Sequence, residues 1–209
     1  MKQFAFCLSA VSVLSVVGTV NADRIIFDGY GSSVGQLIAG GGGSRFGYGT
    51  PIAVDRDIEI SGISALTHLF DPTPFNFVVL PFPQPQVLDL STALYYSDAR
   101  VFPSDPREQR FIGSWKRSDD FSLTLEAGEQ YLIGYFADGF TLIFGNDIAE
   151  SGNGITSVSN SYCLSCPEVT SDFGRDIAIR LHALPEPSSL LALVAGLGAF
   201  YVRQRSPVG

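Results

Sequence analysis

The body of this 209-residue chain is predicted to be all-β, an antiparallel β-sandwich, and three observations predict it. Short apolar runs recur at intervals of roughly 8–12 residues, separated by glycine and proline turns. The composition includes 22 glycines, 12 prolines and 16 phenylalanines, residues that suit bends and half-buried pleated surfaces better than helices. Between the two ends of the chain no segment carries the 3.6-residue period of an amphipathic helix.

The elements follow in order. Met1-Lys2 supplies a positive start, Phe4 to Val17 is an apolar run, and Val20-Asn21-Ala22 places small residues before Asp23. This is the pattern of a Sec-type signal peptide cut between Ala22 and Asp23, so residues 1–22 are expected to form a signal helix that engages the Sec translocon and signal peptidase. Cys7 leaves with that leader. No Leu-x-x-Cys box stands at the cleavage point, which excludes lipoprotein anchoring.

Residues 23–184 form the expected exported domain, long enough for one core of its own. They carry ten Lys/Arg against twenty Asp/Glu, a net charge near −10. A surface this acidic repels nucleic acid and anionic lipid alike, so neither is expected as a partner. Arg24 to Phe27 starts a strand, and Asp28-Gly-Tyr-Gly31 turns it. Gly40 to Gly43, with Ser44, Arg45, Gly47 and Gly49 nearby, lacks the Gly-Lys-Ser/Thr ending and following helix of a phosphate loop. It reads as a flexible surface loop.

From Ile52 strand signals recur. Ile58 and Ile60 alternate with Glu59 and Ser61, Ile63 to Phe70 continues apolar, and Asp71-Pro-Thr-Pro74 breaks the chain. Phe75 to Leu80 is the next run, ended by Pro81, Pro83 and Pro85. Val87 to Tyr96 resumes with Leu88, Leu90, Leu94 and Tyr96, whereas Phe102 to Arg110, with two prolines and four charges, reads as an exposed loop. Phe111 to Trp115 is a strand, and Phe121 to Leu125 alternates apolar and hydroxyl side chains with period two. Glu126 to Glu129 is its turn. Gln130 to Phe136 and Phe140 to Phe144, joined through Asp138-Gly139, read as a hairpin. Ile177, Ile179 and Leu181 face one way and Ala178, Arg180 and His182 the other, the pattern of a closing strand.

Residues 185–209 form a separate tail. Pro185-Glu186-Pro187 leads into Ser188 to Val202, an uncharged run with Leu190, Leu191, Leu193, Val194, Leu197, Phe200 and Tyr201, and Arg203 and Arg205 follow. As a helix this run covers only roughly 22 Å, short of the roughly 30 Å hydrocarbon core of a bilayer. Gly196 and Gly198 weaken it further, which suits a short transmembrane helix held briefly and then processed rather than a permanent anchor.

Pro-Glu-Pro, an apolar helix and a terminal basic cluster, in that order, resemble the PEP-CTERM sorting signal of Gram-negative bacteria. The resemblance implies that Pro185, Glu186 and Pro187 are the element an exosortase recognises and that Arg203 and Arg205 are stop-transfer charges. It implies export across the inner membrane, transient membrane anchoring, and release to the cell surface or outside the cell, in bacteria that make exopolysaccharide. Leu94 to Val101, followed after a loop by Phe121 to Tyr135, also resembles the jelly-roll-like ectodomains found ahead of such tails.

Candidate sites are few. Cys163-Leu-Ser-Cys166 is the one cysteine pair of the exported domain, and in an oxidising compartment it is expected as a disulfide. Zinc needs two further ligands, and His68 and His182 are the only histidines, each read as a satisfied or exposed side chain. Asp55, Asp57 and Glu59 share a face if extended, and Asn146, Asp147, Glu150 and Asn153 cluster in a loop. Either group could offer calcium hard oxygens, but neither has EF-hand spacing, and no cofactor is expected. No Gly-x-Ser-x-Gly elbow or other catalytic constellation stands out. The expected function is therefore a tail-sorted surface or matrix protein, structural or adhesive within an exopolysaccharide layer. The alternative is a carbohydrate-binding module that presents Trp115, Tyr95, Tyr96 or Tyr131 as a stacking platform. A secreted hydrolase is a third reading and requires two convergent carboxylates.

Overall fold

A computed structural model of the chain describes residues 24–29, 36–41, 45–83, 88–109, 113–139, 141–146, 151–166, 170–171 and 176–184. Arg24–Ala183 form one compact unit. The expected signal segment, its expected cleavage site at Ala22-Asp23 and the tail from Pro185 lie outside the described residues. Among those that are described, no helix is long and apolar enough to cross a membrane.

The unit is built from antiparallel strands. In chain order the first nine are β1 (Arg24–Asp28), β2 (Gln36–Gly41), β3 (Arg45–Val54), β4 (Ile58–Ile60), β5 (Gly62–Leu69), β6 (Thr73–Pro81), β7 (Tyr95–Tyr96), β8 (Arg100–Phe102) and β9 (Ser114–Arg117). There follow β10 (Leu123–Leu125), β11 (Gln130–Asp138), β12 (Thr141–Asn146), β13 (Ser151–Gly152), β14 (Ile155–Ser157), β15 (Tyr162–Cys163), β16 (Thr170–Ser171), β17 (Asp176–Ile177) and β18 (Ile179–Ala183). One sheet runs β1-β18-β5-β12-β17, with β2 also on β12 and β9 also on β5. A second runs β13-β14-β3-β11-β6-β7, with β15 on β3, β16 on β15 and β8 on β6. The short pair β10-β4 stands apart, with Leu123 opposite Ile60 and Leu125 opposite Ile58.

Period-two alternation sends one face of each sheet into a shared core. Ile63, Ala65 and Leu69 of β5 and Ile179 and Leu181 of β18 meet Phe75, Phe77 and Val79 of β6 and Tyr131, Ile133 and Tyr135 of β11. At β11 the in-between residues Leu132 and Phe136 point the opposite way and join Val78, Leu80 and Leu164 in a second cluster. Phe136 lies over Gly47, where any side chain would collide with its ring, and a Cβ at Gly49 would press on Leu132 at 3.0 Å. Glycine here serves close packing within a strand.

Several local expectations are corrected. Gly40 and Gly41 belong to β2, and Arg45, Gly47 and Gly49 to the central strand β3, not to a surface loop. The break at Asp71 is shorter than expected, since β6 already begins at Thr73. The Val87 to Tyr96 run is not one strand. Asp89 accepts hydrogen bonds from the amide and hydroxyl of Ser91 and caps a 3-10 turn at Leu90–Thr92, so pairing with β6 resumes only at Tyr95.

β11 and β12 are consecutive but do not form the expected hairpin. Both edges of β11 are occupied, by β3 along Gln130–Asp138 and by β6 along Tyr131–Ala137. The chain therefore crosses to the other sheet, where β12 pairs with β5 and β2. Gly139, at φ 131°, makes the corner.

Candidate functional site

The two ends of the folded unit come together. Among the described residues β1 is an edge strand whose neighbour is β18, and Arg24 is the direct cross-strand partner of Ala183. The chain thus enters and leaves the unit at one end of one strand pair. Only Leu184 separates the paired residue Ala183 from Pro185, as Asp23 alone separates Ala22 from Arg24. The residues expected to act in sorting, Pro185, Glu186, Pro187, Arg203 and Arg205, and at the expected cleavage point, Ala22 and Asp23, lie outside the described residues.

Cys163 and Cys166 are joined by a disulfide. The ring it closes presses Leu164 onto the outer cluster of the second sheet, where Leu164 is buried. The Leu164 amide donates to the Gly47 carbonyl at 2.7 Å, and the Gly47 amide donates to Ser165 Oγ at 3.0 Å. The crosslink therefore clamps a short segment onto β3 at the position where glycine leaves room.

The four candidate platform aromatics separate onto different surfaces. Tyr131 is buried in the core, its hydroxyl accepting from the Glu126 amide at 2.7 Å. Tyr95 stacks on Phe121 at 3.7 Å against the same core. Trp115 packs with Leu66 and Phe144 on the outer face of the first sheet, beneath the Arg180 guanidinium at 3.9 Å. Tyr96 alone of the four is exposed, at 39%, and its hydroxyl bonds Arg45 on the second sheet. They do not form one solvent-facing row.

The acidic groupings are occupied by local structure. Asp57 accepts from the Ala127 amide at 2.9 Å, and Glu59 accepts from the Ser122 hydroxyl at 2.8 Å. Asn153, at φ 53°, donates to the Ile26 carbonyl, while Asp147 and Glu150 lie outside the described residues. Both histidines are buried. His182 Nε2 is 2.7 Å from Ser64 Oγ, and His68 meets the Phe70 ring edge-on at 4.8 Å. Among the described residues no three His, Cys, Asp or Glu side chains gather where they could hold a metal ion.

One cluster was not visible in the sequence. The Phe102 to Arg110 segment, expected to be exposed, turns Asp105 inward until its side chain is only 8% exposed. The Asp105 amide donates to the Leu69 carbonyl and its Oδ2 accepts from the Leu69 amide, both at 2.8 Å, so the loop grips the end of β5. Ser114 and Lys116 of β9 stand opposite Thr67 and Ala65, on the face those residues turn to the core. A lysine on a core face needs a counter-charge. Lys116 Nζ lies 2.9 and 2.8 Å from the two Asp105 oxygens, with its own side chain 5% exposed. The Ser114 hydroxyl donates to Asp105 Oδ1 and accepts from Lys116 Nζ. Burial disfavours the Asp105 carboxylate, but hydrogen bonds from Lys116, Ser114 and the Leu69 amide outweigh it and hold the pKa below the usual aspartate value.

No family model matches the chain, and no curated protein matches it.

Proposed function

We propose that this chain is an exported protein of the PEP-CTERM type, with a structural or adhesive role at the cell surface or in an exopolysaccharide matrix. In this reading residues 1–22 form a signal helix, residues 23–184 a jelly-roll-like antiparallel sandwich, and residues 185–209 a sorting tail with a short hydrophobic helix. The observation that carries it is the pairing of Arg24 with Ala183. The chain enters and leaves the folded unit at one end of one strand pair, so a leader and a tail that are each held at a membrane would hold that same end. Two sheets sharing one core support the sandwich, and a disulfide at Cys163 and Cys166 suits an oxidising compartment.

The test compares a producing strain with one lacking its exosortase, by cell fractionation and mass spectrometry. Expected is a tail-free chain outside the wild-type cells and a membrane-retained chain with its tail in the mutant. Chains that keep the residues beyond Pro187 in both strains contradict the reading.

A further inference from the structure

Asp105 is followed by Pro106, and the Asp105 carboxylate lies against the buried Lys116 and the half-buried Ser114. Proline has no amide hydrogen, so its nitrogen cannot attack the aspartate side chain to form the usual succinimide. That leaves the reverse direction, in which the carboxylate attacks the main chain.

We propose that Asp105-Pro106 is a self-processing bond whose product is trapped by Lys116 as an isopeptide crosslink. An Asp105 carboxylate oxygen adds to the main-chain carbonyl carbon of the same residue, closing a five-membered ring. The carbon–nitrogen bond to Pro106 breaks, and that nitrogen takes a proton from the Lys116 ammonium. The products of this step are a cyclic anhydride, a secondary amine at Pro106 and a neutral Lys116 amine. Lys116 Nζ then attacks Cγ of the anhydride. The ring C–O bond breaks, the Asp105 main-chain carboxylate leaves, and the proton lost by Nζ passes to Pro106. One peptide bond is exchanged for one side-chain amide, with no oxidant, reductant or added water.

Each part of the cluster has a place in this sequence. Hydrogen bonds to Asp105 hold it in the ionised form, the one that carries the attacking lone pair. Lys116 Nζ, within 2.9 Å of both carboxylate oxygens, is near the carbon it attacks and is paired as the proton-bearing cation that the first step requires. Ser114 bridges the two and fixes their orientation. Burial of both side chains keeps water from competing for the anhydride. Pro106 is exposed, so the new terminus can swing into solvent. Asp105 is held to Leu69 by hydrogen bonds, so the exchange ties β9 covalently to a residue already gripped at the end of β5. The proposal does not depend on how the chain is sorted.

The experiment uses the full exported protein, incubated between roughly pH 4 and 10, where aspartate is ionised and lysine protonated. Peptide mapping and N-terminal sequencing follow denaturation. The wild type is expected to keep its intact mass while yielding a branched peptide at Lys116 and a new N-terminus at Pro106. Lys116→His, protonated below about pH 6.5, can still give Pro106 its proton but forms only an acyl-imidazole that water hydrolyses, so at that pH it is expected to split into two chains with the gain of one water. The disulfide cannot hold those halves together, because both cysteines follow Pro106. Pro106→Ala is expected to stay whole, and circular dichroism confirms that each variant is folded. A wild type that remains linear through Asp105-Pro106 overturns the proposal. So does a Pro106→Ala chain that opens as fast as wild type, or a folded Lys116→His chain that remains in one piece below about pH 6.5.

Discussion

Tyr135 supplies the sharpest thermodynamic test of the packing. Its ring lies wholly within the core, stacked on Phe75 at 5.3 Å, and its hydroxyl has no hydrogen-bond partner among the described residues. Burying a hydroxyl without a partner costs about 1–3 kcal/mol in proteins. Tyr135→Phe removes that oxygen and leaves the stacking intact, so it should stabilise the domain by an amount in that range. With a urea m-value of about 2 kcal/mol/M, the unfolding midpoint should rise by about 0.5–1.5 M with m unchanged. Burial also pushes the Tyr135 pKa up, with a smaller contribution from Tyr48. Because the folded state holds the proton more tightly, this contribution to stability is complete below the unfolded tyrosine value of about 10 and is lost as pH rises further. The phenylalanine variant should therefore lose stability less steeply at alkaline pH. A Tyr135→Phe midpoint below wild type would show that the hydroxyl has a partner, and the reasoning would fail.

Three other perturbations follow from the same packing. Lys116→Met, made in a chain still linear at Asp105, leaves a buried carboxylate without its cation and should cost about 3–5 kcal/mol in urea unfolding. The folded Asp105 pKa is depressed, so its stabilisation is present above the unfolded value of about 3.9 and is lost as pH falls through the folded one, a dependence this variant should flatten. Gly134→Ala drives a methyl into the Tyr48 carbonyl and the Gly49 backbone on the paired strand, which cannot yield as a side chain can. Its cost should reach or exceed about 3 kcal/mol by thermal unfolding. Replacing Cys163 and Cys166 by serine opens a ring closed over a sequence separation of 3, and should lower stability by only about 2 kcal/mol in calorimetry.

Much of the β architecture could be read from side-chain alternation. The Phe121 to Leu125 pattern places β10, and the in-out order from Ile177 to His182 places the last two strands with Ile177, Ile179 and Leu181 in the core. What alternation does not encode is which strand edges are already taken. Asp138-Gly139 has the chemistry of a hairpin turn, yet β3 and β6 leave β11 no free edge. Glycine was ambiguous for a related reason. It marks loops, but it also marks strand positions over which a neighbour such as Phe136 must lie flat, and only pairing distinguishes the two. The Asp105 and Lys116 pair was hidden because its members are 11 residues apart and Asp105 sits in a charged, proline-containing stretch that reads as solvated. The signal was the lysine in β9: once Trp115 is assigned to the outer face, Lys116 must face the core and requires an anion.

The central claim, that both ends of the chain are addresses and the middle is the passenger, is tested most directly by the intact mass of the protein recovered outside the cell. The expected species begins at Asp23 and ends within or just after Pro185-Glu186-Pro187. A recovered chain that still carries Leu190 to Val202 and both terminal arginines would contradict it.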